Sequence, residues 1–433
     1  MADRDSADGW RPLLTGEAAD QARAAIEQIA GELRTKLALG GMFQPAHFSL
    51  LDGYAGIALF FAYLHLTSAR KDDRDFAMEV LDRAIDGVSE MVAQPSLYAG
   101  FCGVGWVIEH LRDLIPHAHF GGARLLAGEL SDELRGKDWD RSFDLLQGVV
   151  GIGVYGLERQ PEADATEWLA AVVARLARTA ERSPAGAAWR VRQDVPYGTY
   201  DLGVAHGQAG AIAFLGAAYA AGVVPAQTRK LARWSVSWLL AHKLAAGASS
   251  IFPRSFDPLG AAQPSRLAWC SGDLGIAVAL LGAARHTGQR AWEGEALALA
   301  RHSAARREEL ANTRDACLCH GTAGIAHLFN RLFHATGERV FDEAARFWIA
   351  RTFTIRRPGE GIAGFPAWGL NPWGEPGWRT EPGFLHGAAG VGLALLAAVS
   401  SVEPAWDRVM LLSLPRTRKI RHRNLPQNLL MIH

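Results

Sequence analysis

The sequence has 433 residues, 49% of them hydrophobic and 21% charged, which is ample material for a large buried core. Lys+Arg and Asp+Glu are equal at 45 each, so no overall field draws the chain to nucleic acid, and no such partner is expected. The four cysteines, at 102, 270, 317 and 319, are too few for a disulfide framework and suit a metal or redox site in a reducing compartment. The N-terminus, MADRDSADGW, has no signal pattern, and apolar runs such as Leu385–Val399 fall short of a bilayer span, which predicts a cytoplasmic protein.

An internal repeat runs through the chain. Seven Gly-x-x-Gly turns, each followed by an apolar run, begin at Gly53, Gly100, Gly148, Gly207, Gly272, Gly321 and Gly387, with steps of 47, 48, 59, 65, 49 and 66 residues. Each turn opens a helix of alanine, leucine and isoleucine that is apolar nearly all round and so is predicted to be buried. Before the turns lie amphipathic helices, predicted over Glu17–Leu37, Asp72–Val92, Ala163–Arg182, Gln227–Lys243, Glu293–Leu310 and Glu338–Arg351. No alternating strand pattern stands out.

Two alternating helix classes, seven of each, fit an all-α (α/α)7 toroid of outer and inner helices better than an open solenoid, whose helices are more nearly alike. The glycine pairs are expected to let each outer helix turn sharply into an inner one. Residues 1–415 then form a single domain and the basic stretch 416–433 a disordered tail. Inserts precede the fourth, fifth and seventh turns, over Ser183–Val204, Ala245–Leu267 and Arg356–Pro382. The last carries Trp368, Trp373 and Trp378 and is expected to stand at the rim where ligands are gripped. Val402–Leu412 reads as a closing segment packed on the ring.

Cys270 and the pair Cys319-His320 stand just ahead of the fifth and sixth turns, at equivalent points of adjacent repeats. Thiolate and imidazole are zinc ligands, and three protein ligands leave one tetrahedral position open. Cys317 is the candidate for a fourth ligand, with a core cysteine as the favoured reading, and Cys102 reads as a core cysteine too. His206 and His386 precede the turns of repeats four and seven, Asp144 stands four residues before Gly148, and Arg266 four residues before Cys270. A histidine facing the ring interior is suited to moving a proton, a carboxylate to orienting it and an arginine to stabilising negative charge. A glycosidase toroid would need two inward carboxylates, and Asp144 with Asp273 make no persuasive pair.

The phrases Asp201-Leu202-Gly203-Val204-Ala205-His206-Gly207, Arg266-Leu267-Ala268-Trp269-Cys270-Ser271-Gly272, Leu318-Cys319-His320-Gly321-Thr322-Ala323-Gly324 and Phe384-Leu385-His386-Gly387 resemble the lanthionine synthetase C-like family, in particular stand-alone class I lanthipeptide cyclases. Phe143-Asp144-Leu145-Leu146-Gln147-Gly148 is a looser match, and the likeness runs from about Ser49 to Leu412. The resemblance implies one zinc ion on Cys270, Cys319 and His320, with His206 handling protons and Asp144 and Arg266 supporting it. It implies addition of precursor-peptide Cys thiols to dehydroalanine and dehydrobutyrine, giving thioether rings. A separate dehydratase, an export transporter and a peripheral place at the membrane belong to the same expectation. The alternative is a non-cyclase relative that binds glutathione or a protein. Ser271 stands where many members carry an aromatic residue, so no role for that ring carries over.

Overall fold

The structure is a computed structural model that describes residues 9–40, 47–90, 94–112, 114–115, 130, 134, 142–191, 198–258, 260–306, 312–370 and 374–415. Thirteen α-helices of eleven or more residues lie among them: α1 (Gly16–Ala38), α2 (Tyr54–Ser68), α3 (Lys71–Glu90), α4 (Phe101–Arg112), α5 (Val149–Arg159), α6 (Ala163–Thr179), α7 (Gln208–Ala220), α8 (Pro225–Leu240), α9 (Asp273–Thr287), α10 (Arg290–Ala305), α11 (Thr322–Thr336), α12 (Arg339–Thr354) and α13 (Ala388–Val399). The seven that follow the glycine turns are α2, α4, α5, α7, α9, α11 and α13. Each packs on the next, and α13 returns to α2, so they close a ring. Their residues are buried almost throughout, as the all-round apolar sequence requires.

The outer helices bury one face only. In α3 the buried positions are Asp73, Ala77, Val80, Leu81, Ala84 and Gly87, spaced at helical intervals. Six of the seven expected outer helices lie among the described residues. The place of the seventh, ahead of Gly148, lies largely outside them. The two predicted ends Val92 and Leu310, with Trp373 and the tail 416–433, also fall outside the described residues.

The order of pairing differs from the sequence expectation. Each outer helix packs chiefly on the inner helix before it, and α1 closes the circle by packing on α13. The sharp turns run from inner to outer helix and take two to four residues, such as Gly288-Gln289 between α9 and α10. Left-handed glycines serve there, with Gly288 at φ +70° and Gly337 at φ +74°. The first glycine of each Gly-x-x-Gly instead sits at the end of a long outer-to-inner loop in ordinary extended backbone, with Gly53 at φ −112° and Gly321 at φ −95°, and the second lies in the first turn of the inner helix. They are glycines because backbone passes too close for a Cβ. At Gly324 a Cβ would overlap the Leu318 carbonyl, and at Gly210 the Val204 carbonyl.

Three small two-stranded sheets occupy the inserts, where no strand pattern was legible. β1 (Glu181–Ser183) pairs with β2 (Gly186–Ala188), β3 (Tyr200–Asp201) with β4 (Ser255–Phe256), and β5 (Ala367–Leu370) with β6 (Pro376–Arg379). At two to four residues each, these strands are too short to show a period of two. β1 also ends the predicted helix over Ala163–Arg182 early, at Thr179.

The closing segment packs on the ring from within its lumen. Its 3₁₀ turn, Ala405–Met410, presents carbonyl oxygens to Tyr98 Oη (3.1 Å, on Val409) and Trp269 Nε1 (3.0 Å, on Met410). Asp407 accepts from Arg331 Nε at 2.6 Å and lies 2.7 Å from His327 Nε2, both on α11. Arg408 reaches Glu158 on α5 at 3.1 Å. Only a segment inside the ring can touch helices so far apart around it.

Candidate metal centre

The loops entering the seven inner helices are joined by a closed circuit of backbone hydrogen bonds. Leu51 donates to Tyr98 (2.8 Å) and Tyr98 to Leu146 (3.2 Å), while Leu145 donates to Ala205 (3.2 Å) and Ala205 to Cys270 (3.1 Å). Cys270 donates to Cys319 (3.3 Å), Cys319 to Leu385 (3.1 Å) and Leu385 back to Leu51 (2.9 Å). Apart from Leu145, every member stands two residues before the first glycine of its turn. Cys270 and Cys319 are therefore equivalent positions on neighbouring loops, held in fixed register by each other's main chain.

The donor atoms of Cys270, Cys319 and His320 lie within 4.8 Å of one another. A tetrahedral zinc with Zn–S and Zn–N distances of about 2.0–2.3 Å draws its ligand atoms to roughly 3.5–4 Å apart, which this cluster permits. Nδ1 of His320 is buried with no hydrogen-bond partner, an unmet cost that a metal or its ligand shell would remove. The hydrogen bond from Cys319 holds the Cys270 thiol well below its ordinary pKa, burial opposes this, and His320 and Arg266 lower it further. The Cys319 thiol is pushed up by the same bond and by burial. Two thiols within reach of each other and of an imidazole suit a soft divalent cation, so the residues present fit zinc.

Asp315, Cys317 and His320 form a second possible group. Asp315 is committed elsewhere: Oδ1 accepts from the Cys317 amide at 3.2 Å and Oδ2 from the Trp368 amide at 2.8 Å. Burial and Asp315 push the Cys317 thiol well above its ordinary pKa, which keeps it protonated. Asp315 thus ties the β5–β6 hairpin to the loop that carries Cys319.

On the loop before α7, His206 Nδ1 lies 2.7 Å from Asp144 Oδ2, and the other carboxylate oxygen of Asp144 accepts the amides of Gln147 and Gly148 at 2.8 and 3.1 Å. Burial works to lower the His206 pKa, but the Asp144 bond and charge, with Asp201 and Cys270, raise it overall. Arg266 approaches through the main chain, bridging Gly272, and its charge acts on both thiols. The loops thus bring all six predicted residues to one end of the ring.

Two further groups belong to this mouth. The His386 ring lies 5.7 Å from that of His320, and burial followed by His320 depresses its pKa. Asp201 accepts the Gly203 amide at 2.7 Å, and burial pushes it up to about 6 although Gly203 and His206 lower it. Asp201 carried no role in the sequence reading. Aligning the seven turns would have found it, because the residue six before each first glycine is polar in every repeat, from His47 to Glu381. Asp144 and Asp273 form no carboxylate pair, for Asp273 accepts the amides of Ile251 and Phe252 at 2.8 and 3.0 Å.

The family model described as lanthionine synthetase C-like protein matches residues 44–411. The chain belongs to that family. A solved structure of nisin cyclase superposes with a TM-score of 0.72 at 18% identity, covering 91% of this chain and 98% of that one, which fixes the shared helical toroid. No curated protein matches the chain. For this family member no described helix is long and apolar enough to cross a membrane.

Proposed function

We propose that the protein is a zinc-dependent lanthipeptide cyclase that adds Cys thiols of a dehydrated precursor peptide to dehydroalanine or dehydrobutyrine, forming (methyl)lanthionine rings. The observation that carries the reading is the clustering of Cys270, Cys319 and His320 on two neighbouring loops, with the His206–Asp144 pair on the loop bonded to Cys270. Cys270, Cys319 and His320 would hold the zinc ion, which would lower the pKa of a substrate thiol.

The addition forms a C–S bond, loses the thiol proton and protonates the α-carbon. His206, whose pKa the Asp144 carboxylate raises against burial, delivers a proton to that carbon. Asp144 fixes the ring through Nδ1, leaving Nε2 to face substrate. Arg266 offsets the negative charge that develops as sulfur attacks. The dehydrated peptide comes from a separate dehydratase and the product leaves through an export transporter, both acting in the cytoplasm or at the membrane face.

The test is a cyclisation assay on dehydrated precursor peptide, following loss of free thiol, with wild type, Cys319→Ala and His206→Ala. Loss of zinc and activity in the first variant, and of activity with zinc retained in the second, is expected. Thiol binding without ring formation would instead mark a glutathione- or protein-binding relative.

A further inference from the structure

We propose that the solvent face of outer helix α8, with strand β1 beside it, is a docking surface for an acidic segment of a partner polypeptide. No Asp or Glu occurs between Asp201 and Asp257, although the whole chain carries as many acids as bases. α8 lies within that run and presents Arg229, Lys230 and Arg233 to solvent. At about 100° per residue, these three fall within one arc of about 100° on the helix. β2 packs on α8, and its partner β1 brings the exposed Arg182 to the same place. There the Arg182 guanidinium lies 4.9 Å and the Lys230 ammonium 4.7 Å from the centre of the Trp234 ring.

Among the described residues none of these four cations meets a carboxylate, and Glu181, next to Arg182, is held by Arg190 at 2.9 Å and by Tyr200 Oη at 2.7 Å. Other outer helices neutralise their own cations. On α3 Lys71 and Arg74 pair with Asp75 and Arg83 with Glu79, and on α12 Arg339 pairs with Glu343 and Arg346 with Asp342. α8 has no acid to do this. Like charges one turn apart repel, and an anionic partner relieves that repulsion.

The carboxylates of a polypeptide answer this face better than a bilayer or a nucleic acid does. Three of the four cations are arginines, whose planar forks take a carboxylate through two N–H groups at once. The Trp234 ring is half-buried and already occupied by Arg182 and Lys230, so it is free neither to insert at a lipid interface nor to stack on a base. The chain is neutral overall, so four local charges offer little field to a long polyanion.

The probe is a fluorescein-labelled peptide of alternating Glu and Ala, titrated with the full-length chain and followed by anisotropy at low salt. Saturable binding is expected, lost when Gln replaces Glu in the peptide and weakened several-fold at high salt. Arg229→Gln, Lys230→Gln and Arg233→Gln together are expected to weaken it about tenfold, since each exposed charge pair contributes modestly. Arg339→Gln with Arg346→Gln, which removes cations already paired on α12, is expected to leave binding unchanged. Absence of saturable binding, binding undiminished in the triple variant, or tighter binding to phosphatidylserine vesicles or duplex DNA than to the peptide would overturn the proposal. The comparison of peptide, vesicle and DNA needs only wild-type protein and stands if a variant fails to fold.

Discussion

Nδ1 of His206 lies 2.7 Å from the buried carboxylate of Asp144, which in turn holds the two backbone amides that start α5. One carboxylate therefore links the entry of one inner helix to the imidazole on the next loop. His206 itself is 41% exposed on its side chain, so the pair is anchored at one end and open at the other.

Asp144 raises the His206 pKa above the ordinary 6.5, after burial has worked against it. Asp144→Asn is expected to bring the His206 titration, read by NMR of its ring protons, to lower pH. In the cyclase reading the rate then falls off at lower pH on the alkaline side. The folded-state pKa is the raised one, so whatever stability the ion pair adds is complete below about 6.5 and fades as pH rises through the folded value. A His206 titration unmoved by the substitution would show that Asp144 does not set it.

Metal content separates the two possible ligand groups. Cys270→Ala and Cys319→Ala are expected to drop bound zinc from about one per chain to a small fraction of that. Cys317→Ala is expected to keep it, because its thiol is protonated and its neighbour Asp315 is engaged by amides. Elemental analysis of purified protein decides this, and zinc loss from Cys317→Ala alone would exchange the ligand sets.

Asp315→Ala leaves the buried amide of Cys317 and the half-buried amide of Trp368 without their acceptor. A cost of about 2–4 kcal/mol in denaturant unfolding is expected, from about 1–3 for each orphaned group with partial relaxation. Faster proteolysis of the β5–β6 hairpin is expected to accompany it. Asp315→Asn, which keeps one acceptor oxygen, is expected to cost less.

Glycine substitutions are expected to split by position. At Gly324 a Cβ would meet the Leu318 carbonyl, which belongs to the loop carrying Cys319 and cannot move freely, so Gly324→Ala is expected to cost more than about 3 kcal/mol. At Gly294, in outer helix α10, nothing stands within 4 Å, and Gly294→Ala is expected to stabilise by about 0.5–1 kcal/mol. Chemical denaturation of both variants reads the contrast directly.

By itself, the sequence determined the two helix classes, the sevenfold count of buried helices and the cluster of Cys270, Cys319 and His320. Each is carried by local chemistry: a Gly-x-x-Gly phrase, an apolar run or a ligand type repeats wherever it is used, whatever surrounds it. Only the tertiary structure decided which outer helix serves which inner one, because helix periodicity says what is buried and not against which partner. It also decided that the Gly-x-x-Gly glycines answer close backbone approach and that Val402–Leu412 fills the lumen. Those relations span up to some three hundred residues, as from Tyr98 to Val409, and depend on ring closure, which no local pattern encodes.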